Sequence, residues 1–458
     1  MTRDLTVGHP LKRILTFCIP LFIGNLFQQF YNIADGIIVG QFIGTQAFAA
    51  VGATGTIIFG ILGFAQGSCA GFAIPVAQEF GAHDELELRR CVAAVAQVTV
   101  VISVPLTVIT LLATRPLLTL LRTPPDVFEE SCRYLTVIFA GIIPSMLYNL
   151  LASLLRSLGD SRTPLYFLAI SSVLNVLMDL LFVGAFSLGV TGAAVATVTA
   201  QLLSGVMCLA YVAKKFPLLR LTREEWRVSM PHWRRELSSG LPMGLQISIT
   251  AIGAIILQTA VNGLGSSVVA SISASSKISS IFCAPMDAIG IAMATYCGQN
   301  IGAKRLDRVR QGVRQCALLL GAYSVVCLAI YYFLSPTIAL MFIKPDEVEV
   351  LARIHQHLTV AALFYIPLIL IYVYRNALQG MGFSNMAMFG GLLELIGRSC
   401  VAFLFVGRFG FDAVCFANPI AWILADCLLL PLYIYETQKL KRTLPASTLE
   451  ERKTKAHA

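Results

Sequence analysis

The chain has 458 residues, of which 57% are apolar and only 13% are charged, and its formal net charge is +9. Soluble domains contain about 45–50% apolar and about 25% charged residues, so this composition excludes a soluble enzyme. A membrane-spanning helix needs roughly 20 apolar residues, and about twelve such stretches follow one another along the chain. They are apolar all round and lack the period-two alternation of barrel strands, so they predict an all-α polytopic membrane protein.

The predicted transmembrane helices number twelve. In chain order they cover residues 14–40, 47–77, 91–114, 134–156, 165–184, 188–212, 238–262, 267–297, 314–335, 357–380, 386–407 and 412–435. The connections on the N-terminal side of these helices contain 25 Lys and Arg residues, against 6 on the opposite side. The positive-inside rule therefore predicts a multi-pass protein of the cell membrane with both termini in the cytoplasm.

The second half of the chain repeats the first. Residues 78–82, at the end of the second helix, match residues 299–303, at the end of the eighth, with an offset of 221. Because equivalent helices are an even number of spans apart, they cross in the same sense, which predicts a parallel repeat of two pseudo-symmetric six-helix lobes around a central cleft. We expect an N-terminal lobe at 1–212, a basic cytoplasmic linker at 213–237, a C-terminal lobe at 238–435 and a cytoplasmic tail at 436–458.

Polar residues form a stripe along the first helix. Gln28, Tyr31, Asn32 and Asp35 are spaced i, i+3, i+4 and i+7, so they share one helix face. Ionisable residues inside apolar helices are unfavourable in lipid and normally face protein or water. The stripe therefore predicts a surface that lines the protein interior or the cleft.

The fifth helix carries a similar arrangement. Asn175 and Asp179 are spaced i and i+4, so one ion can meet both a carboxylate and an amide oxygen. If Asp179 approaches Asp35, the pair can hold a proton near neutral pH, or it can bind a hard cation such as Na⁺ together with neutral oxygens. The alternative is that both acids only cross-link helices through buried hydrogen bonds.

The second half contains charged residues inside its predicted helices. Lys277 lies in a serine-rich stretch, Glu394 and Arg398 form an i, i+4 pair, and Asp287 and Asp426 are further acids. Glu394 is a candidate partner for Lys277, because an unpaired lysine is unlikely to stay charged in a membrane interior. Two interpretations remain: contact with the substrate and a static ion-pair network.

Several short sequence motifs lie between about residue 8 and residue 435, and together they are specific enough to indicate a protein family. They are Pro20-Leu21, Gly24-Asn25, Gln28-Gln29, Tyr31-Asn32, Asp35 and Val39-Gly40; Gln78 to Ala82; Asn175-x-x-x-Asp179 with Gly192-Ala193-Ala194; and Gly298-Gln299-Asn300-x-Gly302-Ala303. With them, the chain resembles transporters of the multidrug and toxic compound extrusion (MATE) family. The resemblance implies two six-helix lobes around a V-shaped cavity, and export of organic, often cationic, amphipathic compounds in exchange for H⁺ or Na⁺.

The resemblance also implies site residues. Cation binding is expected at Asp35, Asn175, Asp179 and Thr197. Family members that carry acids on the seventh and tenth helices are not matched, since these helices offer Gln246, Thr250 and Asn376. We assign substrate contact to Gln28, Tyr31, Asn32, Lys277, Glu394 and Arg398.

The expected function is a cation-coupled antiporter that exports organic cations by alternating access. The alternative is a flippase or exporter of lipid-linked or anionic substrates, for which Lys277, Arg375 and Arg398 would supply positive charge. An enzyme is not expected, because no constellation of catalytic residues stands out. The expected partners are a small organic substrate and the lipid bilayer; we expect a monomer, no nucleic acid, no cofactor beyond the coupling ion and no metal other than Na⁺ as a candidate for that ion.

Overall fold

The computed structural model describes residues 4–121 and 123–443, and helices are its only regular elements in these ranges. Ten helices are long and apolar enough to cross a membrane, and two further spans are helix pairs bent by 47° and 56°. The N-terminal six are α1 (Pro10–Phe42), α2 (Thr45–Ala82), α3 (Glu85–Leu120), α4 (Pro125–Ala140 and Ile142–Ser157), α5 (Arg162–Ala185) and α6 (Gly189–Lys215). The C-terminal six are α7 (Met230–Asn262), α8 (Ser266–Gly302), α9 (Leu306–Ala339), α10 (Val348–Leu363 and Tyr365–Gly380), α11 (Ser384–Phe409) and α12 (Phe411–Thr443).

The predicted fold class is confirmed, and each predicted span lies within one of these twelve helical segments to within one residue. The helices extend beyond the predicted spans, because a helix satisfies its own backbone outside the apolar layer as well as within it. Thus α7 begins inside the predicted linker, with Pro231 in its first turn, and α12 continues into the predicted tail. The rest of that tail, residues 444–458, lies outside the described residues.

Local sequence signals set the helix boundaries near the repeated motif. His83 adopts a left-handed conformation, with φ of 60°, and ends α2. Asp84 then caps α3 by accepting a hydrogen bond of 3.0 Å from the backbone N–H of Glu87. The acidic residues Glu85 and Glu87 occupy the first turn, where the helix dipole favours negative charge. A sharp reversal between α2 and α3 follows from these few residues.

The two lobes meet where α2 packs against α7. A Cβ on Gly67 would lie 2.8 Å from the carbonyl oxygen of Met243, and a Cβ on Gly71 would lie 2.6 Å from that of Ser239. The two backbones therefore pack directly on each other, as small residues allow in membrane helices. By contrast, a Cβ on Gly52, nearer the start of α2, would meet no described atom within 4 Å. The lobes thus touch along the later part of α2 and separate towards its beginning.

The first half of α1 packs with the C-terminal lobe. Ile14, Phe17 and Leu21 belong to the same buried cluster as Tyr296 on α8 and Tyr365 on α10. Helix α1 also packs on α5 of the N-terminal lobe, from Gly24, which lies against Leu165 and Leu168, to Asp35, which faces Asp179. This helix therefore joins the two lobes within one continuous element. We call the side of the bundle where α1 begins and α12 ends the terminal side.

Candidate cation and substrate site

Asp35 on α1 and Asp179 on α5 meet inside the N-terminal lobe. Their carboxyl groups face each other within hydrogen-bonding reach. Asp179 has no exposed surface, and neither of its side-chain oxygens, nor Oδ1 of Asp35, receives a hydrogen bond from a described residue. Two ionised carboxylates cannot donate to each other, so this contact requires a shared proton or a bound cation.

Asn175 and Thr197 complete the same cluster. Asn175 Nδ2 donates to Thr197 Oγ1 at 3.2 Å, and Thr197 Oγ1 donates to the carbonyl of Ala193 at 3.1 Å. Asn175 Oδ1 is buried, and none of the described residues donates to it. The cluster thus offers amide and carboxylate oxygens, the ligands that hard cations prefer.

The backbone of α5 changes immediately after these residues. Leu180–Ala185 forms a π-helical turn that follows Asp179 directly. Such turns insert an extra residue into the helix and are frequent at functional sites, because they change the direction of the side chains on either side. Asp179 therefore lies at the junction between two helix geometries.

Tyr134 on α4 is a neighbour of this cluster that the sequence analysis missed. Its side chain is 5% exposed and lies within electrostatic reach of Tyr31, Asp35 and Asp179. No pattern in the sequence connects this tyrosine with the polar faces of α1 and α5. Only the packing of this part of α4 on α2, α3 and α6 places the tyrosine near the acids.

The predicted substrate residues on α1 lie beside the acids. The side chains of Gln28 and Tyr31 are half-buried and within hydrogen-bonding reach of each other, and Asn32 is exposed. Tyr31 also lies within electrostatic reach of Asp35. One face of α1 therefore joins the exposed Asn32 to the half-buried Asp35 and, through it, to the buried Asp179.

In the C-terminal lobe, Glu394 on α11 is held between two guanidinium groups. It accepts hydrogen bonds from Arg375 at 2.9 Å and from Arg398 at 3.0 Å. Lys277 is exposed, and no carboxylate of the described residues lies within ion-pair distance of it. The expected pairing of Glu394 with Lys277 is therefore wrong. The reason is packing: Lys277 lies on α8, which packs on α1, α2, α9 and α10, whereas α11 packs on α7 and α12.

The cluster around Glu394 extends to α12. Arg398 Nε donates to Asn418 Oδ1 at 3.0 Å, and Asp426 lies within electrostatic reach of Glu394 and Arg375. The described residues provide no donor for the buried Asp426 Oδ1. Two cations and two acids thus connect α10, α11 and α12, which favours a network that holds these helices together.

Buried amide side chains pair with each other between α7 and α10 of the C-terminal lobe. Gln379 Nε2 on α10 donates to Gln246 Oε1 on α7 at 2.7 Å, and both side chains are buried. A Cβ on Gly290 of α8 would lie 2.7 Å from Asn376 Nδ2. These neutral contacts provide no carboxylate for a coupling ion on α7.

The twelve spans, the two lobes and the buried polar clusters define a helical membrane transporter built from a duplicated six-helix unit. The family model MatE matches residues 20–181 and again residues 242–404, one match in each lobe. The chain therefore belongs to the MatE family of multidrug efflux transporters, and it is a multi-pass membrane protein.

Individual relatives agree with this assignment. The probable multidrug resistance protein YpnP of Bacillus subtilis (strain 168) is 31% identical over 310 residues, which are 67% of this chain and 68% of that protein. The probable multidrug resistance protein YoeA of the same strain is 28% identical over 344 residues, 74% of each chain.

Solved structures share the fold. An outward-facing multidrug resistance MATE family transporter of the MOP superfamily superimposes with a TM-score of 0.86 at 22% identity, covering 96% of this chain and 98% of the other. A MOP superfamily transporter from Pyrococcus furiosus, whose binding pocket is described as of reverse polarity, gives a TM-score of 0.87 at 22% identity and the same coverage.

Proposed function

We propose that this transporter is a cation-coupled antiporter that exports organic, cationic amphipathic compounds by alternating access. The observation that carries the proposal is the contact between Asp35 and Asp179, whose buried oxygens have no protein donor among the described residues. A site of this kind needs a proton or a metal cation to be stable, because two adjacent carboxylates repel each other in a dry environment. H⁺ and Na⁺ are both candidates, with Asn175, Asp179 and Asp35 as the Na⁺ ligands.

Helix α1 links cation binding at this site to the relative position of the two lobes. The acids join α1 to α5, while the first half of α1 packs in the core of the C-terminal lobe. Binding of a cation draws α1 and α5 together, and its release lets the carboxylates repel. Because α1 contacts both lobes, a change in the arrangement of the lobes also changes the distance between α1 and α5. The two access states then differ in their affinity for the cation, and coupling requires this difference.

Substrate contact is proposed along the cleft. Gln28, Tyr31 and Asn32 provide amide and aromatic groups next to the acids, and the negative charge of Asp35 attracts a lipophilic cation once the coupling ion has left. In the second half, Lys277 is exposed, whereas Glu394 and Arg398 are buried in ion pairs. We therefore propose that Lys277 lines the substrate path without binding a cationic substrate directly, and that the other two act mainly through the helices they join.

The proposal includes the setting of the protein. We place it in the cell membrane as a monomer with both termini in the cytoplasm, since the Lys and Arg residues are concentrated in the connections on that side. Its partners are a small organic substrate and the bilayer, without nucleic acid. No catalytic step and no cofactor are part of the proposed cycle.

A second candidate function is export or flipping of an anionic or lipid-linked substrate. The observation that favours it is the exposed Lys277, for which the described residues supply no carboxylate partner. An anion would neutralise this ammonium group and could also approach Arg375. The two functions differ in the charge of the molecule that is moved.

The test is transport of a fluorescent lipophilic cation in everted or reconstituted vesicles, with a pH gradient and a Na⁺ gradient applied separately. We expect one gradient to drive export by the wild type and by Asp346→Asn, a control in an exposed loop. The Asp35→Asn variant should show no gradient-driven export. Full export by Asp35→Asn would show that the site is wrong, and absence of cation transport under both gradients, together with transport of an anionic probe, would favour the second function.

A further inference from the structure

The first turns of α7 lie against the N-terminal lobe on the terminal side, and we call this contact the seam. Arg235 on α7 donates to Glu79 Oε1 on α2 at 2.5 Å and to Gln78 Oε1 at 3.0 Å. Trp233 Nε1 donates to Gln97 Oε1 on α3 at 2.8 Å. These bonds join the two lobes, so they must break if the lobes separate at this end.

Glu236 is buried in the middle of the seam. It has no exposed surface, and neither of its carboxyl oxygens has a hydrogen-bond partner among the described residues. The adjacent Arg235 lies within electrostatic reach of it, but both terminal nitrogens of Arg235 donate to other groups, namely Glu79, Gln78 and the sulfur of Cys91. Four residues further along the helix, Gly240 packs against Phe72 on α2 so tightly that a Cβ would overlap the ring.

The titratable groups around Glu236 come from three helices. Glu79 on α2, Cys91 on α3 and Arg235 on α7 face it. Behind Cys91, Glu87 is occupied by two other partners: it accepts from Arg90 at 2.6 Å and contacts His232 Nε2 at 3.0 Å. The one cation that faces Glu236 is thus already paired with Glu79.

Among the described residues, Glu236 faces no free cation and no hydrogen-bond donor stronger than the thiol of Cys91. An ionised carboxylate in such a dry site is strongly disfavoured, and the group takes up a proton instead. A protonated Glu236 fits the closed seam, whereas water would solvate the ionised form once the lobes separate. The closed seam therefore binds one proton more than the open seam, so a rise in pH favours opening.

We propose that Glu236 is a second proton site, separate from the Asp35 and Asp179 pair, and that closure of the terminal side takes up a proton on its carboxyl group. The proposal rests on the proposed function in one respect, namely that the two lobes separate at this end during alternating access. It adds that the seam itself responds to pH, whatever ion the N-terminal site uses.

The fluorescence of Trp233 can report the seam. The chain has three tryptophans, so Trp226→Phe with Trp422→Phe leaves Trp233 alone. In this background we expect the emission to shift to longer wavelength as the pH rises, because an opened seam exposes the indole to water. Glu236→Gln, which has the shape of the protonated acid, should abolish the shift, and Glu224→Gln, on an exposed linker residue, should retain it.

Two further variants keep the test decisive. Glu236→Met is uncharged and of similar volume, and it should also remove the shift if the glutamine variant folds poorly. His232 is next to Trp233 in sequence and contacts the carboxylate of Glu87, so His232→Gln is the control for a signal from this side chain and must keep the shift. A shift that persists in both Glu236 variants, or that disappears in His232→Gln, would overturn the proposal.

The outcome is separable from that of the transport function. Asp35→Asn should lose gradient-driven export and still show the Trp233 shift. Infrared spectra at neutral pH supply an independent check, because the C=O band of protonated carboxyl groups should be weaker in Glu236→Gln than in the wild type. An unchanged band would contradict a protonated Glu236 even if export fails for another reason.

Discussion

Gly81 on α2 lies against the backbone carbonyl of Gln299 on α8, so closely that a methyl group on Gly81 would overlap the carbonyl oxygen. The reciprocal contact is equally close, since Gly302 on α8 lies against the carbonyl of Gln78 on α2. Both pairs come from the motif that recurs with an offset of 221 residues. The repeated motif therefore meets its own copy across the pseudo-two-fold axis, and it forms part of the contact between the lobes on the terminal side.

This contact predicts that Gly81→Ala destabilises the closed arrangement. The added methyl group must push α2 away from α8, and overpacking of this kind typically reduces the free energy of unfolding by about 1–3 kcal/mol. Thermal unfolding in detergent measures the loss. Gly52→Ala, on the same helix but with open space around it, is the control and should melt close to the wild type. Equal melting temperatures for the two variants would contradict the close approach.

The contact between Asp35 and Asp179 predicts that they act as one unit in ion binding. Asp35→Asn and Asp179→Asn should each abolish binding of the coupling ion, and the double variant should be no worse than either single one, because groups that share one ion are strongly non-additive. Isothermal titration calorimetry with Na⁺, or proton release on addition of substrate, measures the effect. Independent, additive losses would indicate two separate structural roles.

Glu394 should be far more important for stability than an acid in an exposed ion pair. Glu394→Gln leaves the guanidinium groups of Arg375 and Arg398 buried without their anion, and breaking a buried pair typically costs about 3–5 kcal/mol. Glu349→Gln removes an acid that is 71% exposed from its pair with Arg353, and such pairs contribute about 0–1 kcal/mol. Thermal unfolding of the two variants should differ clearly. Similar melting curves would show that the Glu394 cluster does not hold α10 to α12 together.

Lys277 distinguishes the two candidate functions. If the substrate is cationic, Lys277→Gln should leave export of a lipophilic cation unchanged or increase it, because a repulsive positive charge is removed. If the substrate is anionic, the same change should reduce transport several-fold. Initial transport rates of a cationic and an anionic probe measure the preference, with Lys344→Gln in an exposed connection as the control. We expect the cationic outcome.

At acidic pH the folded arrangement of the linker between the lobes should become less stable. The backbone N–H of Thr222 donates to Glu225 at 2.6 Å and Arg89 lies 3.4 Å away, and together they hold the pKa of Glu225 below its usual value of 4.5. A carboxyl group with a lowered pKa stabilises the folded arrangement above its unfolded pKa, and this contribution disappears as pH falls. Pepsin cleavage within 216–229 should therefore increase below about pH 4.5. In Glu225→Gln we expect cleavage at pH values where the wild type is resistant, and equal susceptibility would contradict this role.

Much of the fold could be predicted from the sequence, because a spanning helix depends on the composition of about 20 consecutive residues. All twelve spans and the duplication follow from local runs and from one repeated motif. The stripe that ends at Asp35 and the pair of Asn175 and Asp179 were also predicted, since a helix places i and i+4 residues on one face. The sequence by itself therefore predicts that Asp35, Asn175 and Asp179 lie on polar helix faces. It does not predict that these faces form one site.

Only the tertiary structure decided which of these faces meet. The distance between helices depends on packing, and in this protein it depends on backbone contacts such as those of Gly67 and Gly71 with α7, which no local pattern encodes. For that reason the sequence missed Tyr134 beside the acids and assigned Lys277 instead of Arg375 to Glu394. It also treated Glu236 as part of a solvated linker, whereas the association of α7 with α2 and α3 removes this carboxyl group completely from water.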